Sequence, residues 1–405
     1  MRILVYGINY APELTGIGKY TGEMCAWFAS QGHDVSVITS VPYYPEWEIH
    51  KKYRNRLWVE EKIDNVNVYR CPLYVPQRVT SARRIIHEFS FLLSTIPIWC
   101  KIFLQRKYDI VICISPPFHL SFFSLIYAKL RNAKLITHVQ DLQIDAAKNL
   151  GMIKSTTLLE IMFRMEKKIL MGSSLVSTIS LGMKRKIAAK GIDLSKILLF
   201  PNWADETKIR PLPRAESLRK EFGINDTTKV ILYSGNLGEK QGLEIIVEVA
   251  KSYNSNEDVV FIISGSGGGK ENLVRLVSEA NLTNVQFFPL QPYDRLSALL
   301  ATADIHLVLQ KKSASDLVMP SKLTTILSAG GCSIVTANAG TSLYDIIYEH
   351  KLGILVEPES AEALRNGIEE ALRSDLDLYR KNAREYTESF LRKNLILKKF
   401  EESFI

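Results

Sequence analysis

Length, composition and charge describe an ordinary globular chain and exclude several classes of protein. The sequence has 405 residues, with 46% hydrophobic and 23% charged side chains, which suits two domains and argues against broad disorder. Its five cysteines are scattered, with no CxxC pair. This pattern disfavours a disulfide framework or a zinc cluster and is typical of a reducing compartment.

The net charge of +8 is unevenly distributed along the chain. Residues 1–200 hold 27 basic and 15 acidic side chains, a net charge of +12, whereas the remaining residues hold 24 and 28, a net charge of −4. A basic first half suits an anionic membrane surface or a phosphorylated substrate. Nucleic acid is disfavoured, because the aromatic residues are not interleaved with basic ones in an RNA-binding pattern.

The first half opens with a β-like run, MRILVYG, which has no secretory signal core behind it. Short β-branched runs then alternate with helical patterns. Most of these runs are continuously apolar and bounded by turn residues, which is typical of parallel strands covered on both faces. The strands predicted in this half are 2–6, 34–39, 66–70, 109–114, 134–139, 175–179 and 197–200.

The turn after the first strand reads GINYAPELTGIGKYTGE and carries Gly16 and Gly18 close to a predicted helix. Glycines at this place let the backbone approach an anionic ligand at a helix N-terminus. The spacing matches neither the dinucleotide GxGxxG nor a Walker loop. A simple turn therefore explains the pattern equally well.

Residues 83–107, RRIIHEFSFLLSTIPIWCKIFLQRK, form a dense apolar stretch with basic residues at both ends. Pro97 and interior polar residues such as Lys101 argue against a transmembrane helix. One interpretation is a helix pair in a membrane interface, with Trp99 and the flanking arginines at the depth of the headgroups. The alternative, given equal weight, is a pair of core helices with a solvated basic edge.

HVQDLQIDAA (138–147) follows a predicted strand and places Asp141 at the edge of the first sheet. A carboxylate there could orient an attacking hydroxyl or act as its base. The alternative is that Asp141 caps the following helix. His138 alternates with apolar neighbours and is interpreted as a hydrogen-bonded core histidine.

The second half repeats the alternation of strands and helices after a proline-containing stretch, 200–218, that we interpret as the domain boundary. Such alternation predicts an α/β fold with two Rossmann-like doubly wound domains. The strands predicted here are 229–235, 258–265, 285–288, 304–309, 332–337 and 353–357.

Three loops of the second half follow strands of one predicted sheet and suit phosphate. GNLGEKQGLE carries Lys240, SGSGGGKENL is rich in glycine, and DLVMPSKLTT opens a helix with Lys322 in its first turn. Free N–H groups and the positive helix end favour anions there. Because open α/β sheets bind ligands at this edge, the three loops together predict a site for a nucleotide diphosphate. The DxD triplet at Asp375 and Asp377 lies in a charged helical pattern, and we expect no metal site.

At this point the residues resemble a known family, the GT-B fold glycosyltransferases of retaining family 4. The closer resemblance is to the branch of bacterial colanic acid and O-antigen fucosyl- and N-acetylfucosaminyl-transferases, and it covers residues 1 to about 340. The segments that carry it are GINYAPELTGIGKYTGEM, VPYYPEW, ISPPFHL, VQDLQIDAA, FPNWAD, SGNLGEKQGLE, LQPYDRLSALLATADIHLVLQ and DLVMPSKLTTIL.

The resemblance implies a donor nucleotide-sugar in a central cleft between the two domains. Lys240 would contact the diphosphate, and Lys322 with the backbone of Pro320 and Ser321 would contact it from another side. The diphosphate would leave without a metal ion, because lysines and helix N-termini stabilise its charge.

The other implied contacts come from both domains. Gly16 and Gly18 would approach the donor phosphate, Gly267 and Tyr293 would flank the base and ribose, and Asp141 would lie beside the sugar or the acceptor. No cofactor is expected, since the nucleotide-sugar is itself a substrate.

Two departures from the family pattern concern the donor site. Asn236 stands where many members carry arginine, and a Glu–seven residues–Glu motif falls on Asp316 and Thr325. Asp316 keeps a carboxylate for a sugar hydroxyl. Thr325 cannot make the charged ribose contact that a glutamate would make, so the choice of nucleotide is left open.

The resemblance implies a retaining, metal-independent transferase that moves N-acetyl-L-fucosamine from UDP to an undecaprenyl-diphosphate-linked saccharide. GDP-L-fucose is the alternative donor, a GT-B sugar-nucleotide epimerase is the alternative enzyme, and an inactive nucleotide-binding scaffold is the non-enzymatic alternative. The enzyme would lie on the cytoplasmic face of the bacterial plasma membrane. The expected domains are 1–200 for the acceptor, 201–385 for the donor, and a helix in 386–405 that packs back on the first domain.

Overall fold

The computed structural model describes residues 1–13, 16–78, 80–149, 151, 153, 155–255, 258–312 and 320–405, with the side chains of Ser81 and Lys240 not included. Within the described chain, two compact units divide at the predicted boundary, one spanning Met1–Phe200 and the other Pro201–Ile405.

The first unit is built on an eight-stranded sheet. All of its neighbouring strands pair in parallel except the third and fourth, which are antiparallel. The strands are β1 (Arg2–Tyr6), β2 (Asp34–Ser40), β3 (Val59–Ile63), β4 (Val66–Cys71), β5 (Ile110–Ser115), β6 (Lys134–Val139), β7 (Leu175–Thr178) and β8 (Ile197–Leu199). Their order, β3-β4-β2-β1-β5-β6-β7-β8, reverses between β1 and β5, and ligands bind at such a switch point in open α/β sheets.

The described residues of this unit form seven α-helices. They are α1 (Gly16–Ser30), α2 (Ser81–Ser94), α3 (Ile96–Leu104), α4 (Ser121–Arg131), α5 (Gln143–Asn149), α6 (Thr156–Gly172) and α7 (Leu181–Ala189). The connection from β4 to β5 contains both α2 and α3, so residues 83–107 fold as a helix pair.

The second unit carries a six-stranded parallel sheet. Its strands are β9 (Lys229–Asn236), β10 (Val259–Ser266), β11 (Val285–Phe288), β12 (Ile305–Val308), β13 (Ser333–Thr336) and β14 (Gly353–Val356). The order β11-β10-β9-β12-β13-β14 reverses between β9 and β12. The carboxyl ends of these two strands therefore mark the second switch point.

Where the structure describes the second unit, eight α-helices accompany its sheet. They are α8 (Glu244–Lys251), α9 (Lys270–Glu279), α10 (Leu296–Thr302), α11 (Ser321–Ser328), α12 (Ser342–His350), α13 (Ala361–Arg373), α14 (Asp377–Tyr386) and α15 (Lys393–Glu402). Residues 386–405 belong to the second unit, and their expected packing on the first unit stays a prediction. The fold prediction of two Rossmann-like α/β domains is confirmed.

The two helices of residues 83–107 differ in how much of their surface is buried, and their placement in a membrane interface stays a prediction. Trp99 of α3 is 3% exposed and contacts Tyr6 and Tyr127, with ring centroids 5.2 and 5.7 Å away. The expectation that Trp99 lies at headgroup depth is therefore wrong, because its indole fills the core beside β1.

The outer face of α2, by contrast, is apolar and exposed. Ile85, Ile86, Phe89 and Leu93 expose between 47% and 62% of their surface, and their spacing places them on one stripe of the helix. Residues 82–104 are long and apolar enough to span a membrane, but 39% of their most apolar window is buried in the protein. Helix α3 buries Ile98, Trp99 and Ile102, whereas α2 leaves its apolar stripe exposed. That the stretch does not span a membrane stays a prediction.

Candidate functional site

Two glycine-rich loops pack closely against each other at the carboxyl end of the second sheet. Leu237 lies at the centre: its N–H donates to the carbonyl of Ser266 at 2.8 Å, and its own carbonyl accepts from the N–H of Gly269 at 2.8 Å. A Cβ at Gly265 would lie 1.9 Å from the carbonyl oxygen of Gly235. The two backbones are therefore packed too closely for any side chain at that position.

Gly267 lies in the same contact between the two loops. Its φ is 146°, a conformation that favours glycine, and a Cβ there would lie 2.6 Å from Oδ1 of Asn236 and 2.7 Å from the carbonyl oxygen of Leu237. Asn236 is exposed at the end of β9. The loops at 235–238 and 265–269 thus form one continuous glycine-rich edge.

Lys322 lies over the end of β9, next to this edge. Pro320 precedes α11 and Ser321 is its first residue. From the first turn Lys322 extends its side chain so that Nζ lies 3.5 Å from the ring centroid of Tyr233. A Cβ at Gly235 would lie 3.3 Å from the same Nζ. The sequence predicted that Lys322 lies near this edge of the sheet, and the structure places it there.

The described residues provide little stabilisation for a positive charge on Lys322. Its Nζ is buried and has no hydrogen-bond partner among the described residues, and burial lowers the pKa of Lys322 to about 7. The aromatic face of Tyr233 supplies a cation–π contact, while the Tyr233 hydroxyl donates to the carbonyl of Asn236 at 2.7 Å. An unpaired buried ammonium costs free energy until an anion reaches it.

Thr325 faces its own helix rather than the glycine loops. Its hydroxyl donates to the carbonyl of Lys322 at 2.8 Å, and its predicted place beside a ribose stays a prediction. Tyr293 opens a short turn after β11 and is half-buried against the core of the second unit. Its predicted contact with the base stays a prediction.

Two predicted residues lie outside what the structure can place. Asp316 falls outside the described residues. Lys240 lies in a short turn, Glu239–Gln241, before α8, and only its backbone is described.

Sequence reasoning missed Lys311, which lies against the turn that carries Lys240. A Cβ at Gly242, whose φ is 62°, would lie 3.2 Å from Cγ of Lys311. The signal was present, since a Lys-Lys pair follows the strand DIHLVL after one glutamine. The aliphatic stem of Lys311 therefore packs against the turn that follows Lys240.

The glycine turn of the first unit is organised by a buried carboxylate. Glu13 accepts hydrogen bonds from Nδ2 of Asn9 at 3.0 Å and from the N–H of Tyr44 at 3.2 Å, and burial raises the pKa of Glu13 to about 7. A Cβ at Gly18 would lie 2.5 Å from Oε2 of Glu13, whereas the nearest atom to one at Gly16 is 3.7 Å away. Gly18 thus makes room for Glu13, and Gly16, with a φ of 60°, keeps the open side.

Arg70 stabilises the same turn through hydrogen bonds to its backbone. It is fully buried and donates to the carbonyls of Ala11 at 2.6 Å and Ser40 at 3.1 Å, and it pairs with Glu61. Removing Arg70 would take a hydrogen-bond donor from each of two carbonyls and a buried cation from Glu61, which Tyr53 and Lys52 also contact.

Asp141 follows β6 and precedes α5, where it is half-buried. Whether it caps α5 or meets a substrate stays a prediction. His138 is a buried core histidine as predicted, with Nδ1 2.9 Å from Oγ of Ser177, and burial lowers its pKa to about 3. Asp145 is paired with Lys190 at 2.6 Å.

Acidic residues do not gather into a metal site in the described part of the chain, where no group of three or more histidine, cysteine, aspartate or glutamate side chains could hold an ion. Asp375 and Asp377 are exposed at the start of α14, and Asp377 pairs with Arg380 at 3.0 Å. The interpretation of this triplet as solvated surface is confirmed.

Family models match both units of the chain. The model described as "Glycosyl transferase 4-like domain" matches residues 15–203, and the model described as "Glycosyl transferases group 1" matches residues 214–390. The two matches meet near the boundary between the units.

A relative matches this chain over nearly its whole length. The chain is 42% identical over 408 residues to the putative colanic acid biosynthesis glycosyl transferase WcaI of Escherichia coli, covering 99% of this chain and 98% of that one.

Solved structures share the fold at low identity. The sucrose-phosphate synthase of Thermosynechococcus elongatus superposes with a TM-score of 0.78 at 16% identity, covering 100% of this chain and 98% of that one. Anabaena Alr3699/HepE, solved with UDP and glucose, superposes with a TM-score of 0.72 at 13% identity, covering 100% and 99%.

Proposed function

The chain belongs to the GT-B glycosyltransferases that join a 4-like domain to a group 1 domain, and from this premise we propose the reaction that it catalyses. The enzyme transfers a sugar from a nucleotide-sugar to a lipid-diphosphate-linked saccharide during synthesis of a bacterial surface polysaccharide. The main support for nucleotide-sugar binding is Lys322, a buried cation without a hydrogen-bond partner in the described chain, which lies beside the two closely packed glycine loops. Synthesis of a polysaccharide is supported by the relative WcaI, which is named for colanic acid biosynthesis.

The donor half needs positive charge where the nucleoside diphosphate leaves. Lys322 and Lys311 lie at the carboxyl end of the second sheet, and the N-terminus of α11 opens there. Preorganised cations and helix N–H groups stabilise developing negative charge strongly in a water-poor site. We therefore propose departure of the diphosphate without a divalent ion, and with retention, since its oxygen can take the proton of a hydroxyl attacking from the same face.

The sugar and nucleotide are proposed from the resemblance. We favour UDP-N-acetyl-L-fucosamine over GDP-L-fucose, and the UDP and glucose held by the Anabaena protein support a nucleotide-sugar donor in general. A GT-B epimerase and an inactive nucleotide-binding scaffold are the competing functions. A threonine cannot make the charged ribose contact of a glutamate, so Thr325 does not choose between the nucleotides.

One experiment separates these functions. The protein is incubated with UDP- and GDP-sugars, with and without a lipid-diphosphate saccharide, and the release of nucleoside diphosphate is followed in the presence of EDTA. Transfer predicts acceptor-dependent release that EDTA leaves unchanged. Epimerised sugar together with free UDP would favour the isomerase, silence with every donor would favour the scaffold, and inhibition by EDTA would overturn the metal-free mechanism.

Donor binding is expected to depend on pH through Lys322. Its pKa of about 7 in the free protein would rise when anionic oxygens approach, because they favour the ammonium form. The complex then binds a proton that the free protein lacks above pH 7. We expect the Kd for a nucleotide-sugar to be constant below about pH 7 and to rise up to about tenfold per pH unit above it. Burial raises the pKa of Tyr233, so the phenol stays neutral.

Calorimetric titration between pH 6 and 8 measures this dependence, since neither the diphosphate nor the base of a nucleotide-sugar changes its protonation in that range. Lys322→Arg keeps its charge throughout and should flatten the profile. A wild-type Kd that does not change from pH 7 to 8 would contradict the role of Lys322.

We also propose that the enzyme is peripheral on the cytoplasmic face of the plasma membrane. The support is the exposed apolar stripe of α2, which begins next to the exposed Arg83 and Arg84 in a unit with a net charge of +12. An apolar face rimmed by basic side chains suits an anionic bilayer. Phe91 takes no part, because it is fully buried.

The double variant Ile85→Ser, Ile86→Ser is expected to lower the partition onto phosphatidylglycerol vesicles by about tenfold or more, since two half-exposed apolar side chains no longer enter the bilayer. Sedimentation with vesicles measures the partition. Leu378→Ser, at an exposed leucine of the second unit, is the matched control and should bind like the wild type. Equal binding by all three proteins would remove α2 from the membrane surface.

A further inference from the structure

Helix α11 carries Lys322 in its first turn, and a residue of α14 contacts its last turn. A helix leaves its last four carbonyls without partners inside the helix. In α11, three of these carbonyls accept N–H groups of residues 329–331 at 2.9 to 3.0 Å. The fourth, on Ser328, accepts from Nη1 of Arg384 at 2.9 Å. Arg384 thus completes the C-terminal cap of α11, where a cation also complements the helix dipole.

Arg384 and Ser328 also contact the chain where it enters the second unit. Oγ of Ser328 donates to the carbonyl of Ile209 at 2.6 Å, and Nη1 of Arg384 lies 3.4 Å from the carbonyls of Glu206 and Ile209. Nε of Arg384 donates to Oε1 of Glu388 at 2.7 Å, which orients the guanidinium. One arginine therefore joins α14, the end of α11 and the entering chain.

Apolar packing makes α11 behave as a short rigid rod. Ile326 and Leu327 of α11 are buried in the same cluster as Ala383 of α14. From Lys322 to Ser328 the helix rises roughly 9 Å, at 1.5 Å per residue. Because a packed helix of two turns moves as one body, a displacement at Ser328 also displaces Lys322.

The position of Lys322 does not come from hydrogen bonds of its own side chain. Its Nζ is buried without a hydrogen-bond partner in the described chain, and it lies 3.5 Å from the ring centroid of Tyr233. Burial alone lowers its pKa, with no charged group of β9, β12 or α14 contributing where the structure describes them. Such an ammonium is more stable in water. The backbone of α11 must therefore keep Lys322 in place.

We propose that Arg384 is a positioning residue of the donor site, which holds α11 through the carbonyl of Ser328 and so keeps Lys322 buried over Tyr233. Arg384 acts from the end of α11 opposite to the one that would meet the diphosphate. The inference rests on the proposed function, which assigns the diphosphate to Lys322. A purely structural role would lower the stability of the second unit and leave the surroundings of Lys322 unchanged in the folded protein.

The test is acetylation of the free protein by acetic anhydride between pH 6 and 10, with mass spectrometry of the peptide that contains Lys322. The rate at high pH reports how accessible Nζ is, and the midpoint of the pH profile reports its pKa. For the wild type we expect slow acetylation and a midpoint near 7. The same measurement needs no nucleotide, so it does not depend on which donor the enzyme uses.

Arg384→Met keeps an unbranched apolar side chain and removes all of the hydrogen-bond donors. We expect the rate at high pH to rise about 3- to 10-fold, as loss of one such bond would allow. The midpoint should rise by about one pH unit or more, because water that reaches Nζ favours the ammonium form. The shift is toward 10.5, the ordinary pKa of lysine. Arg384→Lys keeps the charge and a donor and should give intermediate values.

Two further variants make the result specific. Lys381→Met changes an exposed residue of the same helix, which pairs with Glu385 at 3.8 Å, and should match the wild type. Ser328→Ala removes the bond to Ile209 but keeps the carbonyl that Arg384 contacts, and we expect a smaller shift in the same direction. Circular dichroism and a thermal melt show which variants are folded, and Ser328→Ala decides the test if Arg384→Met is not.

Three results would overturn the proposal. The first is a wild-type Lys322 that is acetylated as fast as the exposed Lys381. The second is a folded Arg384→Met, or Ser328→Ala in its place, with the wild-type rate and midpoint at Lys322. The third is an equal shift in Lys381→Met.

Failure of the proposed function would look different. If Lys322 meets the diphosphate, UDP or GDP should protect it from acetylation in the wild type, and Arg384→Met should bind the same nucleotide about 3- to 10-fold more weakly. Absence of protection by either nucleotide, together with the expected shift in Arg384→Met, would refute the donor site and leave the positioning of Lys322 by Arg384 intact.

Discussion

Lys322→Ala is expected to lower kcat/KM for the nucleotide-sugar by about 100-fold or more, because the leaving diphosphate loses several kcal/mol of electrostatic stabilisation. Lys322 is the buried cation that lies over Tyr233 and beside Gly235. The arginine that many family members carry at the end of β9 is Asn236 here, so the charge at this strand end comes from α11 instead. Steady-state release of nucleoside diphosphate, with a saturating acceptor, measures the effect.

Lys312→Ala is the matched control, since Lys312 is exposed and only reaches Glu357 at 4.0 Å. Its activity should stay within about twofold of the wild type, as a weak surface pair contributes little. Lys240→Ala is expected to match Lys322→Ala if both lysines meet the diphosphate. A loss below threefold at both positions would remove them from the donor site.

Gly265→Ala is expected to abolish donor binding and to lower the free energy of unfolding by about 1–3 kcal/mol or more. The new methyl group would lie 1.9 Å from the carbonyl oxygen of Gly235, a distance that forces β9 and β10 apart at their ends. The hydrogen bonds of Leu237 to Ser266 and Gly269 would then lengthen. Denaturant unfolding and nucleotide-sugar titration measure the two effects.

Gly268→Ala is the control that distinguishes the steric clash at position 265 from a general cost of replacing glycine by alanine in this loop. A Cβ at Gly268 would meet no atom within 4 Å, so its stability should change by less than about 0.5 kcal/mol. If Gly265→Ala binds the donor as tightly as Gly268→Ala, the close packing of the two strand ends is not needed for the site.

The sequence predicted the fold well because its signal is local. Short β-like runs bounded by turn residues marked thirteen of the fourteen strands in the described chain, and each of them lies in a sheet within a residue or two of its predicted bounds. The missed strand is β3, whose sequence VEEKI has three charged residues in five. It is a strand because it pairs antiparallel with β4. Such pairing cannot be recognised from the sequence of a short charged segment.

The sites were predictable only in part, because they depend on contacts between distant residues. A lysine after Pro-Ser at a helix start indicated an anion site, and Lys322 lies at the expected sheet edge. Nothing local reveals that Tyr233, 89 positions earlier, supports its ammonium. Nothing local reveals, likewise, that the side chain of Gln143 donates to Glu88 of α2, 55 positions earlier.

Each sheet ends in a strand too short to recruit a neighbour. The four edge strands, β3, β8, β11 and β14, have five, three, four and four residues, and Glu60 and Lys62 project outward from β3. Short and charged edges discourage pairing with another chain. An enzyme that gathers on a bilayer reaches a high local concentration there, and we expect this design to let many copies crowd on one surface without forming intermolecular sheets.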